Sequence, residues 1–289
     1  MPREAEIPER SVARVELPPF PPIALRAIQL VSGDTRLREL HELVCMDPVF
    51  AGELLRVANS PVHGLNPAIK STLQAAILLG FERLKRLVLT VGIRVYLAHL
   101  LEIPALRACW RHSLACAVIA EDLAVANFRA RLKTRAYLDK DVVYTAGILH
   151  DLGRLALAVL QPQKYADFLK STEQEPCDVL AQERKLFGID HCQAGCSLTL
   201  EWHLPPEFIE VTSHHHDAMP SSRPDIVAAI RFSCKMSDAI GLQVVHGSNA
   251  PTYEELLEGL TQRERLHFAP DPQDYASRIA SRVDAIELA

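Results

Sequence analysis

His150 and Asp151 stand side by side in Gly147-Ile148-Leu149-His150-Asp151-Leu152-Gly153, inside a run from residue 145 to 160 whose only other charge is Arg154. An imidazole and a carboxylate set among apolar side chains are costly to bury unless something pairs with them. Donors able to do so recur along the chain at His112, His191, the His214-His215-His216 run and Asp238. Nitrogen and oxygen donors of this kind suit divalent transition ions. Drawn together, His112, His150, Asp151, His191, His215, His216 and Asp238 would hold one or two ions resembling Fe or Mn, with Asp151 as a bridge. Such ions lower the pKa of a bridging water and clamp a phosphate ester. The alternative is that each side chain is simply hydrogen-bonded in an ordinary core.

For these residues to meet, helices must deliver them. The hydrophobic spacing shows helical period and no strand alternation, so the expected fold class is all-α. After a loose leader at 1–16, Leu17-Pro18-Pro19-Phe20-Pro21-Pro22 reads as a stiff extended entry. A helix is expected over 23–32, and a second carries Leu37, Leu40 and Val44 on one face. Asp47-Pro48 is a start signal for a third. Turn-formers fill 62–70, Ser71 caps a short apolar helix ending at Gly80, and a longer helix follows from Phe81. Pro104 marks the boundary between halves, and the helix after it carries His112. A continuous helix is expected from Asp141 to Leu160, holding the His-Asp pair. Asp190 is placed to cap a helix beginning at His191, the histidine run ends the next, and Asp225 starts the one that carries Asp238. A last helix over 272–287 shows an apolar stripe, Tyr275, Ile279, Val283 and Ile286, that needs a surface to cover, in its own domain or on a partner.

Composition narrows the classes. A net charge of -5 gives the protein no reason to coat nucleic acid, and aromatics at 6% offer few base-stacking platforms. The basic stretch at 129–135 and the Arg83, Lys85, Arg86 face are read as solvated, so nucleic acid is not an expected partner. No apolar signal core opens the chain and no run approaches a membrane span, so the expected location is cytoplasmic with no membrane contact. Seven cysteines, an odd number with no C-x-x-C pair, read as reduced core residues. Cys192 and Cys196, spaced i,i+4 beside His191, lack the second pair that a soft metal site would need.

The chain resembles the HDOD family, the "HD-related output domain" of bacterial signalling proteins. The pieces that match are Leu17-Pro18-Pro19-Phe20-Pro21, Asp47-Pro48, Leu54-Leu55-Arg56-Val57-Ala58-Asn59-Ser60 and Ala75-Ala76-Ile77-Leu78-Leu79-Gly80. Further on they are Trp110-Arg111-His112-Ser113, residues 147–153, Phe187-Gly188-Ile189-Asp190-His191, Trp202-His203-Leu204-Pro205 and His215-His216. The resemblance implies a helical N-terminal subdomain packed on an HD-like helical bundle: leader 1–16, N-terminal half 17–103, HD-like half 104–245 and C-terminal extension 246–289. It implies a regulatory protein that works mainly through contacts with other signalling proteins, around a pocket resembling that of HD-type phosphohydrolases. The alternative it carries is a metal-dependent phosphohydrolase acting on a nucleotide or cyclic dinucleotide. Many family members lack parts of the metal site, whereas all seven donors stand here. The Gly-Tyr-Pro signature of the cyclic-di-GMP phosphodiesterase branch is absent, since Asp217-Ala218-Met219-Pro220 follows His216. Leu152-Gly153-Arg154 stands where active hydrolases often carry a basic neighbour of the His-Asp pair, which leaves Arg154 and Lys235 as the nearest cations in sequence, each free to point to solvent.

Overall fold

The computed structural model describes residues 22, 25–26, 37–59, 69–126, 138–175, 177–217, 225–245 and 251–288. The leader, the proline-rich entry, most of the helix expected at 23–32 and the basic stretch at 129–135 lie outside these residues. Among the described residues every regular element is helical.

The N-terminal part consists of α1 (Leu37–Cys45), α2 (Pro48–Ala58) and the long α3 (Thr72–Leu97). Ser71 caps α3 by accepting the Gln74 N–H. At Gly80 the helix kinks, with φ 75° and ψ 171°, a conformation open to a residue without a Cβ. The expected division there, a short helix followed by a longer one, is what the backbone does. Beyond the kink α3 faces two cores. Leu84, Val88 and Val91 close a small one with Leu40, Val44, Phe50 and Leu54, while Leu89, Ile93 and Leu97 enter a much larger one.

That larger core is built around α4 (Pro104–Val125). Pro104 opens it at a position whose missing N–H has no intrahelical partner to lose. On α4 pack α5 (Lys140–Leu149), α11 (Asp225–Ala239) and α14 (Pro272–Leu288). The α4–α5 contact is close because Gly147 faces Ala117: a Cβ there would lie 2.4 Å from the Ala117 Cα. After α5 come α6 (Leu152–Leu160), α7 (Pro162–Gln174), α8 (Val179–Phe187), α9 (His191–Glu201) and α10 (Pro206–His214). Two short helices, α12 (Tyr253–Glu258) and α13 (Gln262–Arg265), precede α14.

One expectation changes and one open alternative is decided. The helix anticipated from Asp141 to Leu160 is two helices, broken where His150 and Asp151 form a turn, with Asp151 at φ -98° and ψ 20°. Unbroken apolar character hides the break, because both sides of the turn are buried. That stretch, Lys140–Leu160, has the length and apolarity to cross a membrane, yet 89% of its most apolar window is buried inside the fold. Second, the stripe on the last helix is covered by its own chain. Tyr275, Ile279 and Val283 are fully buried with the large core, in a helix that lies on α4. That stripe therefore offers no surface to a partner.

Candidate metal centre

The break between α5 and α6 puts His150 and Asp151 at the inner end of a cavity of about 520 Å³, lined by His112, Arg154, His215, Cys234 and Asp238 among others. Four elements supply the remaining side chains. His112 comes from α4, His191 is the first residue of α9, His215 and His216 follow the last turn of α10, and Asp238 lies on α11. His191 is held at its helix start by a capping box in which Asp190 accepts the Gln193 N–H and the Gln193 side chain accepts the Asp190 N–H. Gly153 lets α6 meet α9 at that same place, since a Cβ would stand 1.8 Å from the His191 carbonyl oxygen.

The donors converge in two groups. In one, atoms of Asp151, His191, His215 and His216 lie within 4.8 Å of one another; in the other, atoms of His112, Cys116, His150 and Cys234 do. Asp151 sits between them, its Oδ1 3.3 Å from His215 Nε2 and 3.6 Å from His191 Nε2, its Oδ2 3.5 Å from His150 Nε2. Six of the seven donors singled out in the sequence thus meet. Asp238 stands off, joining neither group, with Oδ1 3.7 Å from His112 Nδ1. His216 is the exposed member at the outer edge. His214 faces away and pairs with Asp217 at 2.7 Å.

The orientation of each imidazole tells what the pocket is built for. His150 Nδ1 lies 2.7 Å from the Gly147 carbonyl, His215 Nδ1 3.1 Å from the Val211 carbonyl and His191 Nδ1 2.5 Å from a Glu183 carboxylate oxygen. With Nδ1 as donor in all three, Nε2 is an acceptor turned inward. The Nε2 atoms of His150, His191 and His215, together with Asp151 Oδ1, are buried with no hydrogen-bond partner. Buried polar atoms are normally satisfied, and an unmet set asks for an explanation. Four acceptors aimed at one another repel unless a cation or proton lies between them, so this donor set fits a divalent metal ion.

Electrostatics favour ligation by Asp151 and His191, whereas His150 is drawn toward its charged form, in which Nε2 carries a proton beside Asp151. Burial raises the Asp151 carboxyl, but Arg154, His150, His215 and His191 outweigh it and hold it well below the usual carboxylate range. Burial and then Arg154 push the His191 imidazole well down, keeping it neutral and able to ligate. His150 is pushed up to about 9: burial works against its charge, and Cys234 and Asp151 more than reverse that. Burial lifts the Asp238 carboxyl to about 6.

One contributor, Glu183, carried no readable sign in the sequence, and others were noticed without their role. Glu183, fully buried on α8, accepts from the His191 backbone N–H at 2.9 Å and from Tyr165 Oη at 2.6 Å while holding His191 Nδ1. Arg154 does not reach solvent: it is 4% exposed, with Nε 2.9 Å from Asp151 Oδ2 and Nη1 3.7 Å from Glu183 Oε1. Lys235 does face outward, at the cavity mouth. Cys116 and Cys234, read as core residues, complete the His112 group, whereas Cys192 and Cys196 belong to neither.

The sequence profile of the HDOD domain matches residues 17–218, and the chain belongs to that family. Among solved structures it resembles an HDOD domain protein of unknown function from Geobacter sulfurreducens, at 24% identity and a TM-score of 0.70, covering 94% of this chain and 93% of that one. A candidate signal transduction protein from Marinobacter aquaeolei VT8 matches at 23% identity and a TM-score of 0.71, covering 95% of this chain, which spans 59% of that protein. A candidate phosphohydrolase from Shewanella amazonensis SB2B matches at 20% identity and a TM-score of 0.61, covering 94% of this chain and 93% of that one. No functionally curated protein matches. These likenesses establish the shared fold.

Proposed function

We propose that this HDOD protein binds a divalent metal ion in the pocket at the α5–α6 turn and uses it to hydrolyse a phosphate ester, of a nucleotide or cyclic dinucleotide. The observation that carries this reading is the convergence of four buried atoms without hydrogen-bond partners, on His150, Asp151, His191 and His215, three of these residues lining an open cavity. Asp151, His191, His215 and His216 would hold an ion, with His112, His150 and Asp238 on the facing wall. When bound, such an ion supplies an acidified water and a counter-charge for phosphate oxygens. The protein's own groups prepare that place. Gly147, Val211 and Glu183 fix the histidine tautomers, Arg154 keeps Asp151 ionised, and Lys235 sets a positive charge at the mouth where an anionic ligand enters. Arg154 is engaged with Asp151 and Glu183, so its part is to position the carboxylate and not to grip phosphate.

Elemental analysis of protein expressed with iron and manganese, joined to a phosphodiesterase and nucleotidase screen on the same sample, tests the reading. A bound ion and metal-dependent turnover that both disappear in His191→Ala support it. Turnover that is absent at every metal loading, in a protein that binds the ion, removes it. A second reading, a regulator acting by contact with other signalling proteins, rests on the N-terminal half: Leu73, Ile77 and Leu78 on α3 are 48%, 62% and 40% exposed. Large apolar side chains clustered at a surface favour contact with other proteins. Disruption of that face with hydrolysis intact would separate the two roles.

A further inference from the structure

The cysteines of the His112 group are unexplained by an HD-like pocket of histidines and carboxylates. Cys116 lies one helical turn after His112 on α4, and Cys234 approaches from α11. Their sulfurs are 3.7 Å apart, and Cys116 Sγ is 3.4 Å from His112 Nε2. His150, 1% exposed, brings a ring nitrogen within 4.8 Å of these same atoms. Both rings are fixed from behind: His112 Nδ1 is 2.9 Å from the Leu242 carbonyl, and His150 Nδ1 is held at Gly147.

The spacing is informative. A tetrahedral zinc ion bound at about 2.3 Å by sulfur and about 2.05 Å by imidazole nitrogen requires S–S edges of about 3.8 Å and S–N edges of about 3.6 Å. The observed 3.7 and 3.4 Å fall close to those edges. A disulfide needs about 2.05 Å between sulfurs. Charge points the same way. Two thiols that give up their protons to Zn²⁺ leave a neutral site, the least costly form in which to bury a dication. The Asp151 group has one anion only and keeps an exposed member, His216, so it stays open where the cysteine group is closed.

We propose that His112, Cys116, His150 and Cys234 form a Cys₂His₂ site for a soft divalent ion, zinc in the first instance, distinct from the Asp151, His191, His215 and His216 group. The proposal deepens the metal-centre reading and rests on it for the view that His150 serves a metal. One ion here closes the inner wall of the pocket and ties α4 to α11, while the adjacent group handles ligands.

Full-length protein, purified reduced and stripped with chelator, is titrated with cobalt(II) and with zinc. Expected are a thiolate-to-cobalt charge-transfer band at one equivalent and zinc protection of Cys234 against iodoacetamide. Cys234→Ser should lose the band and bind zinc weaker by on the order of 100-fold, taking ligand loss as at least as severe as loss of a supporting contact. His191→Ala should keep the band, because it damages only the other group. A cobalt spectrum of wild type without the thiolate band, or equal alkylation with and without zinc, overturns the site whether or not the variant folds. A Cys116–Cys234 disulfide that persists under zinc overturns it too. Hydrolysis without the band would sink this proposal and leave the proposed function standing; the band without hydrolysis would do the reverse.

Discussion

Two polar clusters flank α4, and they differ in one respect. Near its C-terminal end Arg86 Nη2 lies 2.7 Å from Glu121 and 2.6 Å from Asp141, while Arg282 of the last helix lies 2.9 Å from Glu121 and 2.7 Å from Asp122. Tyr275 Oη donates to Asp122 at 3.3 Å, and the Arg86 guanidinium stacks 4.6 Å over the Tyr144 ring. Each arginine of that seam meets two carboxylates. At the α5–α6 turn the charges are more deeply buried, yet three imidazole nitrogens and a carboxylate oxygen face one another with no partner. The same chain can therefore pair its arginines with carboxylates when their work is to join α3, α4, α5 and α14. The unmet atoms of the pocket are thus a property of the pocket, and they form a donor set that could hold a metal ion.

The strongest way to break the contrast is to move the floor of the pocket. Gly153→Ala places a Cβ 1.8 Å from the His191 carbonyl oxygen, a backbone atom that can yield only if α9 shifts. Overpacking of that severity belongs with the exceptional substitutions, at about 4 kcal/mol or more. Urea denaturation should show that loss, or the variant should fail to accumulate as folded protein. A variant with wild-type stability would mean the α6–α9 contact is softer than the geometry states.

Next in size is the cation itself. If the pocket differs from the seam because it awaits an ion, then added Mn²⁺ at about 100 times its Kd should stabilise wild type by about 2.7 kcal/mol. Asp151→Asn should abolish that gain, while Arg86→Gln, in the satisfied cluster, should leave it in place although it lowers the baseline. Thermal unfolding with and without the ion reads both. A gain retained in Asp151→Asn would remove Asp151 from the centre.

The contrast also separates what one-dimensional pattern carries from what it does not. Caps and breaks were legible because they act over three or four residues: Ser71, Gly80, Pro104 and Asp190. The metal-type donors were legible because histidines among apolar residues stand out. Glu183 was not, since a glutamate in Gln182-Glu183-Arg184-Lys185 looks like any solvated helix face until Tyr165 and His191 arrive from elsewhere. Arg154 and the Cys116–Cys234 pair were hidden likewise, their partners lying in other helices. The turn at His150-Asp151 escaped because apolar runs on both sides erase the period that would mark it.

Glu183 sharpens the comparison at a finer scale. It orients a ligand without being one, and such partners are typically worth about 10- to 100-fold in metal affinity, about 1.4–2.7 kcal/mol. Glu183→Gln should therefore weaken Mn²⁺ binding by calorimetry within that range, with the fold retained. A fall beyond 10⁴-fold would place Glu183 on the metal; no change would free His191 of its orienting role.

The smallest effect belongs to the satisfied seam, where pH can isolate one partner. Burial raises the Asp141 carboxyl, but Arg86 and Glu82 bonds outweigh it and hold its pKa below 3.8. The unfolded chain then takes up this proton at a higher pH than the folded one. Stability from Asp141 is therefore full above the ordinary aspartate pKa and is lost as pH falls through the depressed value. Glu82 beside it runs the other way, raised chiefly by burial, so only the difference between two proteins is clean. Asp141→Asn should cost about 1.5 kcal/mol at neutral pH, the low end for a hydrogen bond to a charged group. That deficit should close as pH drops below about 4. Parallel urea midpoints from pH 7 down to 3 would show the two curves converging if the seam is satisfied by charge, and running parallel if Asp141 contributes only its shape.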